Sequence, residues 1–204
     1  SLTSLNNAFT DKHYKLVVKK NYTLKKPLII YNITNEDLTS KNLNLRFNIL
    51  LEENSSLKII DFLDDKSKNN FLNTYYKYEI KKNSILKNYK IDRKFNSNIK
   101  YFYNNINQEA NSLSEIFILS SGSDFIKNEI NCNLNGKYAS TFVNGIIALK
   151  NFQHHEIKTN INHLTESTKS YQLIKSVLDN ESKAVFQGKI FVDSKAQKTD
   201  GYQL

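Results

Sequence analysis

Between Asn54 and Glu115 the chain writes nearly the same five residues three times: NSSLK at 54–58, NSILK at 83–87 and NSLSE at 111–115. From Asn54 to Asn83 is 29 residues, and from Asn83 to Asn111 is 28. In each copy a turn-favouring Asn precedes a small residue and then a strand-like run, the pattern of a bend handing over to a strand. GKYAS at Gly136 and NESKAVF at Asn180 read as weaker copies. A period of this length holds two short strands and two bends, the unit of a stacked β-solenoid.

The surrounding sequence agrees. Apolar alternation recurs, as in Tyr14, Leu16 and Val18, in Tyr76, Tyr78 and Ile80, and in Ile126, Ile130, Cys132 and Leu134. Helical periodicity is nearly absent. Pro27 is the sole proline and there are five glycines, so tight hairpin turns are scarce and parallel pairing is favoured. The stretch Thr165–Leu178 fits both periods: Tyr171, Ile174 and Val177 suit a helix, while Tyr171, Leu173 and Val177 share one strand face. Parallel rungs are expected to bury Leu57, Ile59, Ile85, Phe117, Phe142, Val143, Val185 and Ile190 at least in part. Bends are expected near Asn54, Asn83, Asn111, Gly136 and Asn180, and a solvated bend over Asp64–Asn70.

Composition narrows the class. At 204 residues, with 39% hydrophobic and 12% aromatic residues, the chain can bury a core and reads as one domain, 1–204. No apolar run is long enough for a membrane span, and no charged start followed by an apolar stretch suggests a signal peptide. The single Cys132 excludes an internal disulfide and suits a reducing compartment. The net charge of +9 is almost all lysine, with arginine at Arg46 and Arg93 alone. Bidentate reading of phosphates and bases is arginine chemistry, and an A/T-rich coding bias accounts for Lys, Asn, Ile, Tyr and Phe together. Nucleic acid is therefore not an expected partner.

The C-terminal end carries a second signal. From Ala184 the chain reads AVFQGKIFVDSKAQKTDGYQL, an alternating strand followed by a polar run. Val185, Phe186, Gly188, Ile190 and Val192, then Ala196, Gln197, Lys198, Thr199, Asp200 and Gln203, resemble the core of the SufB/SufD family of iron–sulfur cluster assembly proteins, on the SufD side. Gly201 departs from that pattern, where Ala or another small residue is common. The upstream run HHEIKTNINHLTESTKSYQLIKSVLDNESKAVFQG is similar to the family's His-rich strand and the bend and strand after it.

The resemblance implies an all-β fold, a right-handed parallel β-helix. It implies a non-catalytic scaffold subunit of a SufBCD complex, located in a bacterial cytoplasm or in a plastid. The implied partners are a SufB-like subunit, bound through the β-helix, and a SufC-like ATPase, held by a C-terminal helical region that would lie beyond Leu204. The family's distal Cys/His region would lie there too, so the chain is expected to be a truncated core. The iron–sulfur cluster is then the product of the full complex and not a cofactor of this stretch. A membrane partner is not implied.

Residue by residue, the candidate chemistry is sparse. On a strand, His155, Ile157, Thr159, Ile161 and His163 share one face. Eight residues separate the two histidines, roughly 26 Å along a strand, so they cannot share one metal without a bend. They are expected to be structural, with a family role unknown. Cys132 is one thiol where clusters take several, and core filler is the simpler reading. Lys198, Asp200 and Gln203 lie at a strand end and are the candidates for a partner interface, since a solenoid end leaves backbone groups unpaired. No catalytic or metal-ligating residue is assigned. The rival function is a carbohydrate-binding or -cleaving β-helix, which needs matched carboxylates. Asp61, Asp64 and Asp65 in one bend, and Asp179 with Glu181 in another, are the available candidates.

Overall fold

The computed structural model describes residues 1–92 and 98–204; of Asp64 and Asp65 the backbone alone is described. The chain is a parallel β-solenoid of about six turns. After a short helix, α1 (Leu2–Ala8), come β1 (Lys12–Val18), β2 (Leu28–Thr34), β3 (Asn42–Leu51), β4 (Ser56–Asp65), β5 (Phe71–Ile80), β6 (Ile85–Asp92) and β7 (Ile99–Gln108). Then follow β8 (Leu113–Ser120), β9 (Phe125–Leu134), β10 (Ser140–Leu149), β11 (His154–His163), β12 (Lys169–Leu178), β13 (Lys183–Val192) and β14 (Asp200–Gln203). Odd-numbered strands stack in one sheet and even-numbered strands in the other, every pair parallel. Each strand therefore meets its neighbour one full turn away. Asn42 is level with Phe71, Phe71 with Ile99 and His154 with Lys183. The ambiguous segment is strand β12, turning at Asp179 and Asn180.

Asparagine builds the corners. The left-handed backbone falls on Asn21, Asn54, Asn83, Asn111, Tyr138, Ser167 and Lys198 along one edge. On the other edge it falls on Ser40, Asn69, Ser123, Asn151 and Asn180. A left-handed residue turns the chain, and Asn tolerates that conformation better than other non-glycine types. It also frees the N–H to bond the next turn: Asn54 N donates to Lys82 O (3.0 Å) and Asn83 N to Ala110 O (3.0 Å). The side chains form their own ladder, Asn83 Nδ2 to Asn54 Oδ1 and Asn54 Nδ2 to Asn21 Oδ1, both 2.8 Å. The expected bends at Asn54, Asn83 and Asn111 are there. Asn180 turns the opposite edge, so it is not a copy of the same repeat.

Inside, apolar residues from both sheets interlock: Leu51, Tyr78, Ile80, Ile106, Ile130 and Ile161 from one, Leu57, Ile59, Leu86 and Val143 from the other. The expectation holds for Leu57, Ile59 and Val143, and for Ile190, which is half-buried on the inner face. It fails for Ile85 and Phe142, which point outward and are exposed. Phe117 and Val185 are half-buried, yet they too lie on outer faces. Val185 and Ile190 are five residues apart on β13, so strand alternation puts them on opposite faces.

Two further expectations are corrected. Asp61 and the backbone of Asp64 and Asp65 belong to strand β4, not to a bend. Ser67 and Asn70, expected in solvent, are buried; Asn70 N donates to Asn98 Oδ1 (2.9 Å). The helix α1 was not foreseen. It is capped by Ser1, whose Oγ accepts from Ser4 N, and Asn6 fixes it to the sheet by donating to Leu45 O and Asn73 O.

The outer surfaces account for the charge. Lysines meet acids one turn away: Lys81 and Glu109 (2.6 Å), Lys87 and Glu115 (2.8 Å), Lys127 and Glu156 (2.8 Å), Lys137 and Glu166 (2.9 Å). Exposed pairs of this kind contribute about 0–1 kcal/mol each. Their larger effect is to spread the positive charge among acids, which leaves no continuous basic track along these positions.

Candidate functional site

The two histidines and the cysteine that suggested chemistry in the sequence turn inward. His155 and His163 do share a face, and it is the inner face of β11. Both rings are buried and engaged at both nitrogens. His155 Nδ1 lies 2.8 Å from Ser120 Oγ and Nε2 lies 3.1 Å from Ser123 O. His163 Nδ1 lies 2.7 Å from Thr168 Oγ1 and Nε2 lies 2.9 Å from Ser170 Oγ. Burial pushes the His155 imidazole down to about 4, against its backbone acceptors, and lowers His163 as well. Both rings are neutral at pH 7.

Cys132 is also sealed. It is fully buried on β9, and its Sγ donates to Gln108 Oε1 at 3.3 Å. Burial pushes its thiol up to about 12, outweighing the nearby Thr141 and Ser114 hydroxyls. A nucleophile or metal ligand must be a thiolate, and this one stays protonated.

The interior holds a second polar group that sequence reading missed. Asp61 on β4 is level with Lys90 on β6, and Lys100 Nζ on β7 lies 3.1 Å from Asp92 Oδ2. All four are buried. Asp61 accepts from Tyr76 Oη and Asn32 Nδ2, each at 2.6 Å. Burial raises the Asp61 carboxyl, with Lys90 and Tyr76 opposing the shift. Among the described residues the Lys90 Nζ has no hydrogen-bond partner, and it sits over two rings, 4.2 Å from the Tyr76 centroid and 3.9 Å from that of Phe102. Burial draws it down to about 8, despite Asp61 and Asp92. Two acids and two lysines balance, and the rings take the place of missing acceptors. The repeat held the clue, because Asp61 and Lys90 are 29 residues apart and occupy one position of the period.

The remaining candidates do not converge. Asp61 is inside and cannot line a sugar-binding groove; the side chains of Asp64 and Asp65 lie outside the described residues. Asp179 and Glu181 are exposed at a corner. Among the described residues no three His, Cys, Asp or Glu side chains gather as a metal site. Lys198 has the left-handed backbone of a corner, Asp200 faces outward, and Gln203 sits on the inner face against Gly188. These three occupy the last described turn. There Val192 is 50% exposed, against 0% for Leu134 and His163 two turns and one turn earlier in the same inward stack.

Such a molecule is a parallel β-solenoid that takes His155, His163 and Cys132 into its interior. Its sequence places it further. The profile of the family described as SUF system FeS cluster assembly, SufBD core domain, matches residues 32–204, and the chain belongs to that family. A comparison with curated proteins finds no match.

Proposed function

We propose that the chain is a non-catalytic, SufD-like scaffold subunit in iron–sulfur cluster assembly. It pairs through its β-helix with a SufB-like subunit, and a SufC-like ATPase completes the assembly. Family membership gives the process, and the QKTD-containing end of the sequence favours the SufD side. The observation that carries the scaffold role is the state of Cys132: fully buried, hydrogen-bonded and held as a thiol near 12. The histidines support it in the same way, since neither has a free nitrogen for a metal. Cluster formation then takes place on other residues of the complex. Pairing is assigned to Lys198, Asp200 and Gln203, which carry the family-like QKTD run through a corner and onto β14.

The test uses the protein in its assembled complex. Cys132→Ser should leave anaerobic cluster assembly close to wild type, and Cys132 should resist iodoacetamide until the protein is unfolded. Loss of assembly in a folded Cys132→Ser complex would overturn the scaffold reading. Asp200→Lys should weaken recovery of the SufB-like subunit in a tagged pull-down; unchanged recovery with that variant and with Lys198→Glu would move the interface elsewhere.

A further inference from the structure

The two outer faces of the solenoid differ in kind. The odd-numbered sheet presents asparagines that bond from turn to turn, such as Asn160 to Asn131 (2.8 Å) and Asn162 to Asn133 (2.8 Å). The even-numbered sheet presents two parallel apolar columns. Ile60, Tyr89 and Phe117 are level with one another, and so are Phe62, Ile91 and Leu119. Tyr31 extends the second column at one end, stacked on Phe62 at 5.4 Å, and Ile146 extends it at the other. Tyr31 is 61% exposed and Ile146 39%. The helix α1 packs on the opposite sheet, so no described element covers this strip.

Its dimensions select the occupant. Two columns of alternate residues are about 13 Å wide, and the stack from β2 to β12 is about 24 Å long. The footprint of roughly 300 Å² is well short of the ~800 Å² per partner of a stable face-to-face dimer, which argues against a second copy. It does match one α-helix, ~10 Å across, of about 16 residues. The helical pitch of ~5.4 Å also runs close to the ~4.8 Å strand spacing, so successive helical turns meet successive strands. The row beside the first column runs Lys58, Lys87 and Glu115, the last two paired to each other, so the cations left over at the margin are lysines. Lys58 flanks the first column beside Ile60, and Lys175 closes the second column next to Ile146; neither has an acidic partner among the described residues. We infer that this strip is a docking groove for an amphipathic helix of a partner protein, with an apolar stripe at i, i+3, i+4 and i+7 and acidic residues on its flanks. The inference rests on this sheet face and is independent of the cluster-assembly reading.

The probe is a pair of labelled 18-residue amphipathic peptides that share a leucine stripe and carry either glutamate or lysine on the flanks. They are titrated against the 204-residue chain by fluorescence anisotropy. The glutamate peptide is expected to bind at least tenfold more tightly than its lysine twin. Phe62→Glu should abolish that binding, and Lys58→Glu with Lys175→Glu should reverse the preference. Should Phe62→Glu fail to fold by circular dichroism, the double lysine variant, made at exposed positions, still decides. Equal binding of the twins, no binding of either, or a preference unmoved by the lysine changes would overturn the proposal. So would a dimer in sedimentation that protects the β4 and β6 amides from exchange, which would give the face to a second copy.

Discussion

His155 shows how one position in a solenoid trades reactivity for order. The ring joins β11 to Ser120 at the end of β8 and to the Ser123 corner, tying two turns together through hydrogen bonds that a buried neutral imidazole can make. The cost appears under acid. In the unfolded chain the imidazole takes a proton near its ordinary 6.5, while in the folded chain it waits until about 4. Between those values the unfolded state binds the extra proton, so stability falls as pH drops from 6.5 towards 4 and is flat above. The difference bounds the loss at roughly 3 kcal/mol. His155→Gln should therefore be less stable than wild type at pH 7 but lose less between pH 6.5 and 4, measured as the difference between urea-unfolding curves along a pH series. A wild-type loss that the variant reproduces in full would assign the acid sensitivity to other groups, with His163, shifted in the same direction, next in line.

At the scale of the element, the corners carry the specification. The repeat was legible because each NS pair marks the left-handed residue and the strand after it. Inward and outward residues were harder to read, for two physical reasons. The outer face of the even-numbered sheet is itself apolar, so hydrophobicity at Ile85 or Phe142 does not report burial. The interior admits Asp61, Lys90, Asp92 and Lys100 in balanced pairs, so charge does not report exposure either. The site followed the same logic: the shared face of His155 and His163 was legible from alternation, whereas their partners lie off that strand, Ser120 and Ser123 a turn earlier for His155 and Thr168 and Ser170 across the next corner for His163. The corners can be tested directly. Asn83→Ala keeps the left-handed backbone at a cost of about 1–2 kcal/mol and breaks the side-chain ladder. Asn83→Gly loses the ladder alone and should be the milder change by urea midpoint. Gly136 is more demanding, since a Cβ there would overlap the backbone of Glu109 and Ala110 in the adjacent corner. Gly136→Ala should cost roughly 3 kcal/mol, the upper range for overpacking. At Gly145 a Cβ meets flexible tips, Ile174 Cδ1 at 2.9 Å and Ile157 Cδ1 at 3.1 Å, and Gly145→Ala should cost under ~1.5 kcal/mol.

On the scale of the whole molecule, a stack in which each turn touches its neighbours has a stability that varies along its axis. Middle strands are covered on both sides: Leu86, Ile106, Cys132, Val143 and Ile161 are all sealed. Towards the last turn the same positions open. The second half of β12, from Lys175 to Leu178, is exposed, and β14 pairs with β12 over Asp200–Gln203 alone. Amide hydrogen exchange should accordingly be slowest from β5 to β11 and fastest in β13 and β14, with β1 and β2 also faster than the middle. Uniform protection from end to end would mean that the stack opens as one cooperative unit and would remove the gradient. The same measurement addresses the assembly. If a SufB-like subunit pairs at Lys198, Asp200 and Gln203 as proposed, exchange in β12–β14 should slow by at least tenfold while β5–β9 stay unchanged. Protection appearing instead on β4, β6 and β8 would place that partner on the apolar strip. An unchanged profile in a complex that nonetheless forms would place it outside this solenoid.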